Sequence, residues 1–136
     1  YMTVDLGRFA QRYGVDFKMN PHFPINTLPL MRGVIGIQLR QPARFDAFLS
    51  AVFTALWVKG SNLNDPAVTA ATLVEAGFDP AEVFALVNDA DIKAALKTNT
   101  EEAVARGVFG APTVFVGDAM FFGQDRLDFV REALAA

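Results

Sequence analysis

The sequence predicts an α/β chain in which the two kinds of element are segregated: a helical block runs to about residue 106, then strand, strand and helix follow. Three observations predict it. Apolar residues recur at helical spacing through the middle of the chain, the period falls to two after Gly107, and Gly117-Asp118 divides the alternating stretch as a two-residue hairpin connection does. A hairpin and one helix have little independent stability, so further strands of the same sheet are expected upstream of Tyr1.

Taken in order, Leu6, Phe9 and Tyr13 share one helical face, and Gly14 follows where a left-handed C-terminal cap belongs. Val15, Phe17 and Met19 alternate with Asp16 and Lys18, the period of a half-buried strand, before Asn20-Pro21-His22-Phe23-Pro24 breaks regular structure. Asn26 or Thr27 can cap a helix over 28–40, with Pro29 in its first turn and Gly33 and Gly36 weakening it. From Pro42 a stripe of Phe45, Phe48, Leu49, Val52, Phe53 and Leu56 predicts a helix that ends at Gly60 and buries that face. Asp65-Pro66 and Asp79-Pro80 each pair an N-cap acceptor with a first-turn proline, so two short helices follow. Another covers about 92–106, with capping-box spacing from Thr98 to Glu101 marking a candidate break. Thr113 to Val116 and Ala119 to Phe122 form the hairpin. The last helix turns Leu127, Val130 and Leu134 inward.

Composition excludes several classes of function. The chain has 136 residues, 52% hydrophobic and 20% charged, which fits one compact domain, or part of a composite one, and not a two-domain enzyme. Twelve basic and fifteen acidic residues leave a net charge of −3, and no basic cluster matches a run of phosphates, so nucleic acid is not an expected partner. There is no cysteine and one histidine, His22, which removes thiolate chemistry, disulfides and a Cys/His metal site from these residues. The longest apolar run, Phe48 to Val58, contains Ser50 and Thr54 and is shorter than the ~20 residues of a membrane span, so a soluble chain is expected. Helical pattern begins at once after Tyr1-Met2 with no leader, so the natural start is expected upstream.

Two short segments could carry chemistry. In Gly110-Ala111-Pro112-Thr113, a proline before a strand can hold a cis bond and leave the preceding main chain free to pair with an extended ligand. A trans proline opening an edge strand is the plainer alternative. In Gly123-Gln124-Asp125-Arg126, free N–H groups at a helix start can take a carboxylate while Asp125 holds an ammonium, as an amino-acid head group requires. Self-capping of that helix is the competing explanation. Glu101-Glu102 and Asp89/Asp91 read as solvated, His22 as a loop side chain and Trp57 as core. Asn26 and Arg32, beside the Pro-rich loop, could face a cleft, though capping and solvation explain them equally.

Gly107-Val108-Phe109-Gly110-Ala111-Pro112-Thr113, followed by Gly117-Asp118-Ala119-Met120-Phe121-Phe122-Gly123-Gln124-Asp125-Arg126-Leu127, resembles the 2-hydroxychromene-2-carboxylate isomerase family. That family groups with kappa-class glutathione transferases and the DsbA-like branch of the thioredoxin fold. The resemblance extends to Tyr1-Met2 with Asp5-Leu6, to Phe23-Pro24 with Asn26-Thr27, and to the helix ending at Trp57. It implies a thioredoxin-like fold with an inserted all-helical domain. Residues 1–20 would be a connecting helix and short extended segment, 21–106 the insert, and 107–136 the C-terminal β-β-α, the N-terminal β-α-β unit lying outside this chain.

The resemblance further implies that Pro112 is a cis-proline, that Ala111 pairs through its backbone with the cysteinyl part of glutathione, and that Gln124 and Asp125 hold the γ-glutamyl end. Phe23 to Arg32 would border the cavity of a small aromatic carboxylate, with Asn26 and Arg32 as substrate residues. The catalytic serine would lie upstream of Tyr1, with no metal involved. Glutathione would be the cofactor of an isomerisation between 2-hydroxychromene-2-carboxylate and trans-o-hydroxybenzylidenepyruvate, in a bacterial cytoplasmic homodimer that breaks down naphthalene-type aromatics. Three alternatives share the fold: a DsbA-like thiol-disulfide oxidoreductase, a kappa-class glutathione transferase, and a binding protein without a nucleophile-activating residue.

Overall fold

Proline, aspartate and glycine punctuate the helices. The computed structural model describes residues 1–136 and places α1 over Met2–Tyr13, α2 over Leu28–Arg40, α3 over Phe45–Thr54, α4 over Pro66–Glu75, α5 over Pro80–Asn88, α6 over Ala90–Ala105 and α7 over Leu127–Ala135. Strands β1 (Thr113–Val116) and β2 (Ala119–Phe122) complete it. Asp65 Oδ1 accepts from Ala67 N at 2.8 Å and Asp79 Oδ1 from Ala81 N at 2.9 Å, as the two Asp-Pro pairs predict. Asp89, expected to be solvated, caps α6 in the same way, accepting from Asp91 N at 2.8 Å and Ile92 N at 3.1 Å. The expected break at Thr98 does not form, because α6 is uninterrupted and its ladder satisfies the main chain there.

The chain divides into two compact units, Tyr1–Leu96 and Lys97–Ala136. In the first, the ring of Phe48 on α3 meets Phe78 edge-on at 5.3 Å, and Leu30, Ile37, Leu73 and Val83 close the core around them. Gly33 and Gly36 are the reason α2 can join it. A Cβ on Gly36 would come within 2.8 Å of Leu86 Cβ, and one on Gly33 within 3.0 Å of the Phe48 ring, so the residues that weaken an isolated helix let this one approach α5 and α3. The α3 stripe is wider than its buried face: Phe48, Val52 and Leu56 are buried, but Phe53 is 60% exposed.

Two expectations fail in this unit. Residues 15–19 form no strand; the single long-range main-chain bond there, Lys18 N to Trp57 O at 2.6 Å, ends on a helix carbonyl, and no neighbouring strand supplies a ladder. Trp57 is half-buried at the edge of the core, not within it. It belongs to a π turn, Ala55–Lys59, that continues α3 to Gly60.

In the second unit β1 and β2 pair antiparallel with Thr113 opposite Phe122 and Val116 opposite Ala119, the register that a Gly117-Asp118 connection dictates. On α7 the expected inward face is only partly covered. Val130 is half-buried, whereas Leu127 and Leu134 are 52% and 70% exposed, because two four-residue strands present too little surface to cover a whole helix face. No helix of the chain is long and apolar enough to cross a membrane, and no three His, Asp or Glu residues stand close enough to hold a metal ion.

Candidate functional site

Sterics set the geometry at the start of β1. A Cβ on Gly110 would lie 2.6 Å from the Phe122 ring, so only glycine fits beneath that ring, which packs on Phe109 with centroids 4.8 Å apart. Thr113 Oγ1 donates to Gly110 O at 2.7 Å and closes the turn around Ala111-Pro112, whose peptide bond is cis. Ala111 is exposed, and its N–H and C=O make no hydrogen bond within the chain.

One bond ties this turn to the start of α7: Gly123 N donates to Pro112 O at 2.9 Å, one step beyond the last strand pair. Gly123 has φ 106° and ψ 146°, a region open essentially to glycine alone, and a Cβ there would sit 2.6 Å from Asp125 Oδ1. The chain then makes one 3₁₀ turn, Gln124–Arg126, with Arg126 N bonded to Gly123 O at 3.2 Å and no side chain capping the start. The main-chain N–H groups of Gln124 and Asp125 are consequently open. Asp125 Oδ2 and Arg126 Nη1 stand 2.8 Å apart, with the two side chains 43% and 50% exposed. The structure thus brings Ala111, Pro112, Gln124 and Asp125 together. The result is an unpaired strand of backbone beside free N–H donors, a carboxylate and a guanidinium, a set matched to a peptide with a zwitterionic end.

The first unit holds a separate feature, an apolar groove of about 420 Å³ whose walls include Met31 and Val34 of α2, Phe53 of α3, Trp57 of the π turn and Leu96 of α6. Trp57 is itself backed by aromatic rings: Phe17 stacks on it at 6.1 Å and 24°, and Phe23 lies at 6.4 Å and 43°. Arg32 follows Met31 but is not itself part of the groove wall; it is half-buried and has no carboxylate partner within 4.0 Å. Asn26 is placed at the start of α2, where its Oδ1 accepts from Leu28 N at 3.2 Å and its N–H donates to Asn64 Oδ1 at 2.9 Å. His22 is exposed and Glu101 pairs with Lys97 at 3.5 Å on the surface of α6. Sequence reasoning missed Phe53 and Trp57 as groove residues because both read as core, and gave no signal for Leu96; an aromatic stripe wider than one helix face was the available signal.

Comparison with known proteins bears on these features. A family profile described as a DSBA-like thioredoxin domain matches residues 1–135. The chain is similar to 2-hydroxychromene-2-carboxylate isomerase of Pseudomonas putida, 29% identical over 134 residues, which are 98% of this chain and 64% of that protein. It is also similar to glutathione S-transferase kappa 2 of Caenorhabditis elegans, 28% identical over 151 residues, 99% of this chain and 65% of the other. A solved structure of 2-hydroxychromene-2-carboxylate isomerase superposes on 99% of this chain and 64% of its own, with a TM-score of 0.80 and 28% identity. The chain therefore spans just under two thirds of the length of these relatives.

Proposed function

Because the chain belongs to the DsbA-like thioredoxin family, we propose that it holds glutathione and a small aromatic carboxylate for an isomerase that interconverts 2-hydroxychromene-2-carboxylate and trans-o-hydroxybenzylidenepyruvate. The observation that carries this reading is the Gly123 N to Pro112 O bond at 2.9 Å, which sets the unpaired backbone of Ala111 beside the open start of α7. The named relatives support the reaction class.

When bound, glutathione would supply a thiol nucleophile that is returned at the end of each turnover, so that nothing is oxidised. Ala111 N–H and C=O pair with the cysteinyl residue as one more strand would. Gln124 and Asp125 N–H groups take the γ-glutamyl carboxylate, with the positive end of α7 behind them, and the Asp125 carboxylate takes the ammonium. Arg126, already paired with Asp125, keeps the local charge balanced against a zwitterion. The apolar groove takes the aromatic rings and excludes water, and Arg32, which lacks an acidic partner, takes the substrate carboxylate. Asn26, which precedes Thr27 of the groove wall, would border that site. In this reading the serine that activates the thiol lies upstream of Tyr1, and the enzyme works as a homodimer in the bacterial cytoplasm.

The kappa-class relative favours a second reading, conjugation of the thiol to an electrophile without its release. An absorbance assay on the full-length polypeptide separates the two. The isomerase reading expects chromene turnover that requires glutathione but consumes none; turnover without glutathione, or none with it, would overturn it. Consumption of thiol with 1-chloro-2,4-dinitrobenzene and no chromene turnover would establish the transferase. Sedimentation gives the oligomeric state.

A further inference from the structure

Asn20 is the fully buried polar side chain of the molecule, 2% exposed. Its Nδ2 donates to Leu56 O at 3.0 Å and Ser61 O at 2.9 Å, while its Oδ1 accepts from His22 N at 2.8 Å. Two residues earlier, Lys18 N donates to Trp57 O at 2.6 Å. A helix leaves its last carbonyls without partners, and such groups are costly when buried. Here the carbonyls of Leu56 and Trp57 are taken neither by a following turn nor by a glycine cap alone, but by a segment that lies far away in sequence. The same segment contributes the two rings, Phe17 and Phe23, that back the indole of Trp57. Backbone and ring are therefore held from one side, and Trp57 lines the groove on the other. π turns often mark functional sites, because the extra residue re-aims a side chain.

We propose that Asn20 is a positioning residue: its buried amide pins the π turn so that Trp57 stays in the groove wall, and through Trp57 the groove prefers flat aromatic ligands to saturated rings of similar size. The inference rests on the groove being the site of the aromatic carboxylate. Asn20 touches no ligand; it acts through the carbonyls of the turn that carries Trp57.

The test uses two probes of like size and charge, 2-naphthoate and decalin-2-carboxylate, titrated by calorimetry into the full-length polypeptide. Wild-type protein is expected to bind the naphthoate more tightly. Trp57→Leu should weaken the naphthoate by about three- to tenfold, the range of an aromatic pair, and the decalin acid by less than about twofold. Asn20→Ala should erase the same preference and shift the emission of Trp57, the single tryptophan of these residues, to the red while far-ultraviolet dichroism is kept. If Asn20→Ala does not fold, Asn20→Ser replaces it, because its shorter side chain carries a single donor and cannot hold both the Leu56 and Ser61 carbonyls. A folded Asn20 variant with wild-type preference, or Trp57→Leu with unchanged preference, would overturn the proposal while leaving the groove as the site. Wild-type protein that binds neither probe would overturn both.

Discussion

The unit Tyr1–Leu96 contains every fully buried apolar side chain of the protein, from Leu30 to Ile92, whereas no residue of Lys97–Ala136 is fully buried. The first unit is specified by volume: Phe48 and Ile37 from helices, Phe78 from the α4–α5 connection packed among them, and glycines where α2 needs room. The second is specified by backbone chemistry: a cis link before Pro112, a hairpin connection at Gly117-Asp118, and a positive φ at Gly123. Main-chain groups that are to pair with a ligand must remain free of the protein's own ladder, which requires a surface turn. A cavity that shelters aromatic rings requires rigid walls, and those come from a packed core. The division of structural means therefore matches the division of proposed tasks.

The contrast can be broken most sharply in the core. Phe48→Ala is expected to cost about 3–5 kcal/mol, read from the denaturant midpoint; a loss below about 1 kcal/mol would mean that volume does not specify the first unit. In the second unit the equivalent damage should come from adding atoms. Gly123→Ala places a Cβ at a φ of 106° and against Asp125, so a cost of about 1–3 kcal/mol is expected, together with weaker glutathione binding by calorimetry. Asp125→Asn keeps the shape and removes the charge, and should raise the glutathione dissociation constant by roughly tenfold with little change in melting temperature. Loss of melting temperature without loss of affinity would assign Asp125 to structure alone.

Two smaller effects sharpen the comparison. Asp79→Ala removes a cap that neighbouring residues do not replace and should cost about 1 kcal/mol in thermal unfolding. Glu75→Ala breaks the 2.8 Å pair with Lys59, but both side chains are more than half exposed, so the change should stay within about 0.5 kcal/mol.

Most helix boundaries were legible because local chemistry decides them: Asp65-Pro66, Asp79-Pro80, Gly14 and Gly60 do in the structure what they announce in sequence. The hairpin was legible for the same reason, since a two-residue connection fixes register. What was not legible depends on partners distant in sequence. Val15 to Met19 has the alternation of a strand but no ladder beside it, and Phe53 has helical spacing but faces a groove. The Ala111 and Asp125 segments were legible as two separate weak signals. That they adjoin depends on a hydrogen bond between Pro112 and Gly123, which no local pattern states. Asn20 gave no signal at all, because an asparagine before a proline reads as a turn wherever its amide points.

The π turn at Ala55–Lys59 also has a meaning for length variation. A helix wound this way carries one residue more than its rise needs, so it is the natural place for a relative to differ by a single deletion without losing the helix. Such a deletion would restore α-helical spacing and leave the positions before and after it on their present faces, while the sequence pattern across it would shift by one residue, or about 100° of helical phase. Matching chains across this stretch without a gap would then pair Trp57 with a residue that points elsewhere, and the groove would be assigned different walls although only one residue of the wide turn had been lost.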